Sequence, residues 1–279
     1  SQGRTKGQEE EVVSMRYNKS SHPIKPQKRV RLSISTFEGI NTTLAEELVP
    51  FKYSPKSYNY KMSGGILQQG NGFKEYVIAE EVGTPKKIFE YRKYDKETGY
   101  RDDRIIVVNT NNEVWQHNLK TKAWSMFEGI EVSGAICAVN YRYGGEDVLL
   151  FSSLEGGLYV IRGDTFEKVK NSPQITSMCT HYDRVYCSVG GEKNAVWFSD
   201  DFDPSNWNVS IDEGGYIEFN DDLGEVIKVI SFVDRVFIFR EYGINRMAAY
   251  SDQTNFAVSR LYISTGRIIA DTVTVCGSA

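Results

Sequence analysis

A chain of 279 residues with 40% hydrophobic and 25% charged side chains has the composition of an ordinary globular protein, long enough for one sizeable all-β domain. No apolar run approaches the roughly 20 residues of a membrane helix, and the Gln-, Glu- and Lys-rich start lacks the apolar core of a signal peptide. The net charge of −4 is uneven: residues 1–35 carry eight Lys/Arg against three Glu, leaving the remainder at −9, which argues against any broad nucleic-acid surface on the body.

Residues 1–32 are polar, basic and aperiodic, and cannot bury enough apolar surface to offset the entropy of ordering. They read as an extended arm whose cations, Lys25, Lys28, Arg29 and Arg31 among them, would contact an acidic neighbour, either protein or nucleic acid; the alternative is a solvated tail. From Leu32 to Thr36 polar and apolar residues alternate as in a short strand. Leu44–Leu48 has the length of one helical turn, with Thr42 or Thr43 as its cap. Tyr58–Leu67 reads as two strands about a Gly64-Gly65 turn. Residues 33–85 are therefore expected to form a strand-and-turn segment packing on the body.

Over residues 86–279 one cassette recurs: Asp(-Arg), an apolar strand, a Gly/Asn turn, then an aromatic-bearing strand. Asp103, Asp147, Asp183 and Asp234 mark its starts, at intervals of 44, 36 and 51 residues. These bracket the period of about 40–50 of propeller repeats. Thirteen per cent aromatics and 24 Gly against 7 Pro also favour strands and turns. Asn194–Tyr250 holds four short strands and has the size of one blade. Within it, Pro204 fixes φ, Asp203 and Asn206 can bond their own backbone, and Trp207 is expected to tuck between blades. The expectation is an all-β, propeller-like fold of about four to five blades. The last blade is incomplete, because Asp271–Cys276 has strand texture and no closing partner. The open edge would be closed by a continuation of the chain, by residues 33–80 folding back, or by a neighbour, with the first preferred.

Candidate chemistry reads as structure. His22, His117 and His181 are isolated, with His181 in a hairpin turn, and no second His or Cys stands at metal-ligand spacing. Cys137, Cys179, Cys187 and Cys276 are expected to be free thiols from a reducing cytoplasm, with Cys179 and Cys187 on one buried face beside Ile175, Val185 and Val189. The acidic pairs Asp200-Asp201 and Asp221-Asp222, with Asp203 and Asp212, lack the order of a calcium loop. Ser199-x-Asp201-x₅-Trp207 is similar to the Asp-box turn of sialidase-type propellers, although it has an extra residue and no central Gly. The arginines a glycosidase needs (Arg142, Arg162, Arg184, Arg235, Arg240, Arg246) are scattered. The paired glycines never form a phosphate-binding loop. No catalytic, cofactor or metal residue is assigned.

Two segments resemble a known family. Thr36-Phe-Glu-Gly-Ile-Asn-Thr-Thr, Glu47-Leu-Val-Pro and Ser57–Leu67 resemble the opening of tailed-phage and prophage virion proteins, with Gln69 where a basic residue is usual. Trp197-Phe-Ser-Asp, Asp203-Pro-Ser-Asn-Trp, Phe232–Arg240 and Gly243-Ile-Asn-Arg resemble a blade of the same proteins. These are propellers of the nozzle (tail tubular) type and portal–tail stabilisation or ring proteins. The resemblance spans residues 33–279. It implies a non-enzymatic virion protein, made in the bacterial cytoplasm, without cofactor or membrane contact. Its partners would be copies of itself in a ring and portal, adaptor, tail or capsid proteins, with DNA reachable only by the arm. Asp203, Pro204 and Trp207 would then be structural or interface residues. The rival reading is a carbohydrate-binding or glycoside-hydrolase-like propeller domain.

Overall fold

The computed structural model describes residues 36–275, apart from 64–65, 71, 73–75, 77, 96, 211–212 and 251. The expected basic arm with Lys25, Lys28, Arg29 and Arg31, nearly all of the strand from Leu32, His22 and Cys276 lie outside the described residues. The chain divides into two compact units, residues 1–76 and 77–279.

In the first unit, β1 (Gly39–Ile40) pairs in parallel with β2 (Tyr53–Ser54), and the hairpin β3 (Tyr60–Ser63) and β4 (Ile66–Gln69) is antiparallel. A 3-10 turn spans Glu46–Leu48, but its cap position is Ala45, without a side-chain hydrogen bond. Neither Thr42 nor Thr43 caps it. The Thr43 backbone N–H and hydroxyl instead donate to Asn41 Oδ1 at 3.0 and 2.8 Å, the local competition that makes short polar residues turn formers.

The second unit is all-β and propeller-like, built from four four-stranded antiparallel meanders. The first comprises β5 (Pro85–Tyr91), β6 (Arg104–Asn109), β7 (Val114–Asn118) and β8 (Trp124–Met126). The second comprises β9 (Ile136–Tyr143), β10 (Glu146–Ser153), β11 (Gly157–Arg162) and β12 (Thr165–Lys168). The third comprises β13 (Ile175–His181), β14 (Arg184–Val189), β15 (Ala195–Phe198) and β16 (Gly215–Glu218). The fourth comprises β17 (Val226–Phe232), β18 (Arg235–Arg240), β19 (Gly243–Ala248) and β20 (Ala257–Ile263). The stretch Asn194–Tyr250 is therefore not one blade. Its first two strands complete the third sheet and the rest begin the fourth. The first strands β5, β9, β13 and β17 neighbour one another in that order.

Each sheet has apolar residues on both faces, so one sheet alone cannot bury them and stacking does. Three cores result. Tyr91, Ile106, Val108 and Phe127 meet Ile136, Leu149, Phe151 and Ile161 between sheets one and two. Val148, Leu150, Leu158 and Val160 meet Ile175, Val185, Cys187 and Val189 between sheets two and three. Tyr186, Val196 and Phe198 meet Val229, Val236, Ile238 and Met247 between sheets three and four.

Cys179 and Cys187 do not share a face. The register pairs Met178 with Cys187 and Cys179 with Tyr186, so Cys187 enters the core toward sheet two and Cys179 the core toward sheet four. The cause is a register shift between Ile175 and Ser177. One extra residue in the bulged strand inverts the alternation counted from Ile175. His181 is the last residue of β13 rather than a turn residue. The segment with strand texture near the end is a 3-10 turn at Ala270–Thr272. It is held to the fourth sheet by Lys228 Nζ, which donates to the Ala270 and Val273 carbonyls at 3.1 and 2.7 Å.

Candidate functional site

The cassette aspartates mark the joints between sheets. Tyr91, at the end of β5, donates its hydroxyl to the Asp147 carbonyl at 2.9 Å. Tyr141, two residues before the end of β9, donates to the Asp183 carbonyl. These side chains pair across the sheet with Arg104 and Val148 respectively, and each reaches the cassette of the next sheet. Asp147 also accepts the Tyr94 N–H through Oδ2 at 2.9 Å, and Asp103 accepts that of Lys93 at 3.1 Å. The recurrent Asp is thus a loop organiser. Burial raises the pKa of both tyrosines, keeping them protonated donors.

The third joint differs. The residue of β13 in the tyrosine position, paired with Arg184, is His181. Its Nδ1 lies 2.9 Å from Ser231 Oγ in β17, and its Nε2 is buried without a hydrogen-bond partner. Burial lowers its pKa, so the ring is neutral. Beside it the Tyr186 hydroxyl is also buried and unpartnered. Both residues line a cleft of about 280 Å³ with Tyr182, Asp183, Arg184, Asp201, Phe202 and Tyr250.

The turn after β15 reaches into this region. Asp203 Oδ1 accepts from the Ser205 backbone N–H at 2.9 Å and hydroxyl at 2.6 Å, while Asn206 Oδ1 accepts the Asn208 N–H at 3.1 Å. Pro204 supplies the carbonyl to which Trp207 Nε1 donates at 3.0 Å. Trp207 is 6% exposed and belongs to the core between sheets two and three. Ser199 Oγ accepts the Val185 N–H at 3.1 Å. Arg184 Nη1 donates to the Ser199 and Glu213 carbonyls, both at 2.8 Å, and its Nε lies 2.6 Å from Asp201 Oδ1. The Asp-box-like spacing is therefore a folded turn clamped by one buried arginine.

An open cleft of about 700 Å³ is lined by residues of β5, β9, β13 and β17 and by Ala270, Asp271 and Val275. Its lining mixes Cys137, Ser177, Thr180 and Ser231 with Lys87, Arg92 and Lys228. The candidate arginines do not converge there. Arg142 pairs with Asp147, Arg162 with Glu146, Arg235 with Asp234 and Arg240 with Asp221, while Arg246 donates to Ser259 Oγ. Each is engaged at its own joint or strand. His117 is buried and stacks on Trp124 with centroids 4.5 Å apart. Among the described residues no group of three or more His, Cys, Asp or Glu could hold a metal ion. Cys137, Cys179 and Cys187 are free, and burial pushes the Cys137 thiol up to about 12 and raises the other two. The joint formed by His181 and Tyr186 is what reading the residues missed; the substitution of His for Tyr at a repeated position was its only sequence signal.

No known protein family matches the chain, and no curated protein does. Among solved structures it is similar to the SapL1 lectin in complex with alpha methyl fucoside, with a TM-score of 0.37, 13% identity, and coverage of 74% of this chain and 71% of that one.

Proposed function

We propose that this chain is a non-enzymatic structural protein of a tailed-phage virion, assembling with copies of itself into a ring or connector at the head–tail region. The observation that carries the reading is the outward face of the fourth sheet. Cross-strand pairing places Ile230 with Phe237, Phe239 with Ile244, and Ile244 with Tyr262 on the face opposite the third core. Tyr262 is exposed and the four others are only half-buried, and all seven residues of β20 are exposed. A face on which such aromatic and aliphatic side chains lie among Lys228, Arg235 and Arg246 is a protein-contact surface. Its neighbour in the reading is another sheet, because each of the three cores among the described residues forms between two sheets packed face to face. The order of motifs from Thr36 to Arg246 supports the virion assignment, and the net positive arm adds a contact for acidic neighbours. Blade-edge loops, Asp203–Trp207 among them, supply the remaining contact surface.

The test is the sedimentation and negative-stain imaging of the full chain beside Phe237→Glu. The wild type is expected to form discrete higher oligomers, and the variant, which places a charge on the face, folded monomers. A wild type that stays monomeric at high micromolar concentration would refute assembly with itself through this face.

A further inference from the structure

The three joints between consecutive sheets are built to one plan at two places and to another at the third. In the first two a tyrosine of the first strand, paired with the residue after the cassette Asp, donates to a carbonyl of the next sheet, Tyr91 to Asp147 and Tyr141 to Asp183. At the third, His181 is 4% exposed and Tyr186 fully buried, and each keeps one polar atom, Nε2 and the hydroxyl, without a partner. A buried polar group left unpaired costs about 1–3 kcal/mol. Both residues line one cleft, and two unpaired polar atoms there mark a place where something else completes the bonding.

The chemistry of the cleft narrows what that is. Its volume of about 280 Å³ lies at the lower bound, roughly 300 Å³, of ordinary ligand pockets, which limits the occupant to about one ring. Its one cation, Arg184, is committed to two carbonyls and Asp201, while Asp183 and Asp201 line the wall, so the site repels anions. A neutral imidazole nitrogen and a phenol hydroxyl bond alcohols equally well as donors or acceptors. Around the same cleft stand Tyr182, Phe202 and Tyr250, all exposed. Tyr182 and Tyr250 meet edge to face with centroids 5.3 Å apart, and Phe202 is held with a φ of 56°, a left-handed conformation that strains a bulky residue. Two buried polar residues and three exposed aromatic residues around one cleft match a ring with hydroxyls on its edge and C–H groups on its face.

We propose that the cleft between the third and fourth sheets binds a single neutral sugar ring, with His181 Nε2 and the Tyr186 hydroxyl bonding its hydroxyls and Phe202, Tyr182 and Tyr250 forming its apolar platform. The site is separate from the outward face of the fourth sheet and stands whether or not that face mediates assembly. The test uses the full chain and the methyl glycosides of glucose, galactose, mannose and fucose, followed by saturation-transfer NMR and calorimetry, with choline as a cationic control. At least one glycoside is expected to saturate in the millimolar range. Tyr186→Phe, which removes one hydrogen-bonding atom and keeps the ring, should weaken it about tenfold. The same variant should melt no lower than the wild type, since it deletes a buried unpaired hydroxyl. Phe202→Ala, at an exposed position, should weaken binding without loss of fold. Absence of saturation by every glycoside at tens of millimolar overturns the proposal, as does binding that neither variant alters. Saturation by choline alone would make the rim a cation cage and overturn it equally.

Discussion

Trp207 shows how one side chain can fix a joint. Its indole fills the core between sheets two and three, and its N–H closes the turn onto the Pro204 carbonyl. The same turn places Ser205 Oγ 3.4 Å from the Tyr143 hydroxyl of the preceding sheet. Trp207→Ala removes the largest apolar group of that turn and leaves a cavity between sheets that cannot collapse freely. It is expected to cost about 3 kcal/mol, the low end of large aromatic deletions, read as a shifted urea midpoint at constant slope. A loss below 1 kcal/mol would place the indole's contacts outside the folding core.

At the scale of elements, the first hairpins of sheets two to four share a two-residue turn whose leading residue has positive φ: Gly144 at 61°, Tyr182 at 49° and Val233 at 55°. Two-residue hairpins demand this because their twist must match that of the strands. Glycine meets the demand without strain, whereas a β-branched residue does not. Val233 is 76% exposed, so its side chain returns little packing. Val233→Asn is expected to stabilise the protein by about 1 kcal/mol, the cost of a left-handed non-glycine residue, measured by chemical denaturation; a destabilised variant would mean the side chain packs after all. These hairpins were legible in the sequence because Asp, Gly and an apolar run coincide within a few residues, and with them the all-β class and the inner three strands of most sheets. The outer strands β8, β12, β16 and β20 were not. They are short or wholly exposed, with burial on at most one residue, so no alternation marks them. Missing them shifted the boundary between the third and fourth sheets into the middle of Asn194–Tyr250. The face of Cys179 was lost for a different reason: the bulge at Ile175–Ser177 leaves no mark in a count of every second residue. The joint at His181 and Tyr186 depends on which residue of one sheet reaches the next, and that is set only when the sheets stack.

At the scale of the whole molecule, four sheets joined by three cores behave as a row in which each sheet is stabilised by its neighbours. The fourth sheet is fastened by one core, at a joint where the third sheet leaves two polar atoms unsatisfied, whereas the third is fastened on both sides. Local opening should therefore begin at the joint between them. The cysteines report on this directly. Cys179 is covered by the fourth sheet and Cys187 by the second, and burial raises the pKa of both thiols, so neither reacts while its core is closed. In low denaturant, below the global transition, a thiol-specific reagent is expected to modify Cys179 first, with Cys187 following only as the whole unit unfolds. Peptide mapping of the labelled sites against time reads the order. Simultaneous modification of both at the global unfolding rate would show that the four sheets open as a single cooperative unit, and that the incompletely bonded third joint is no weaker than the joint closed by Tyr141.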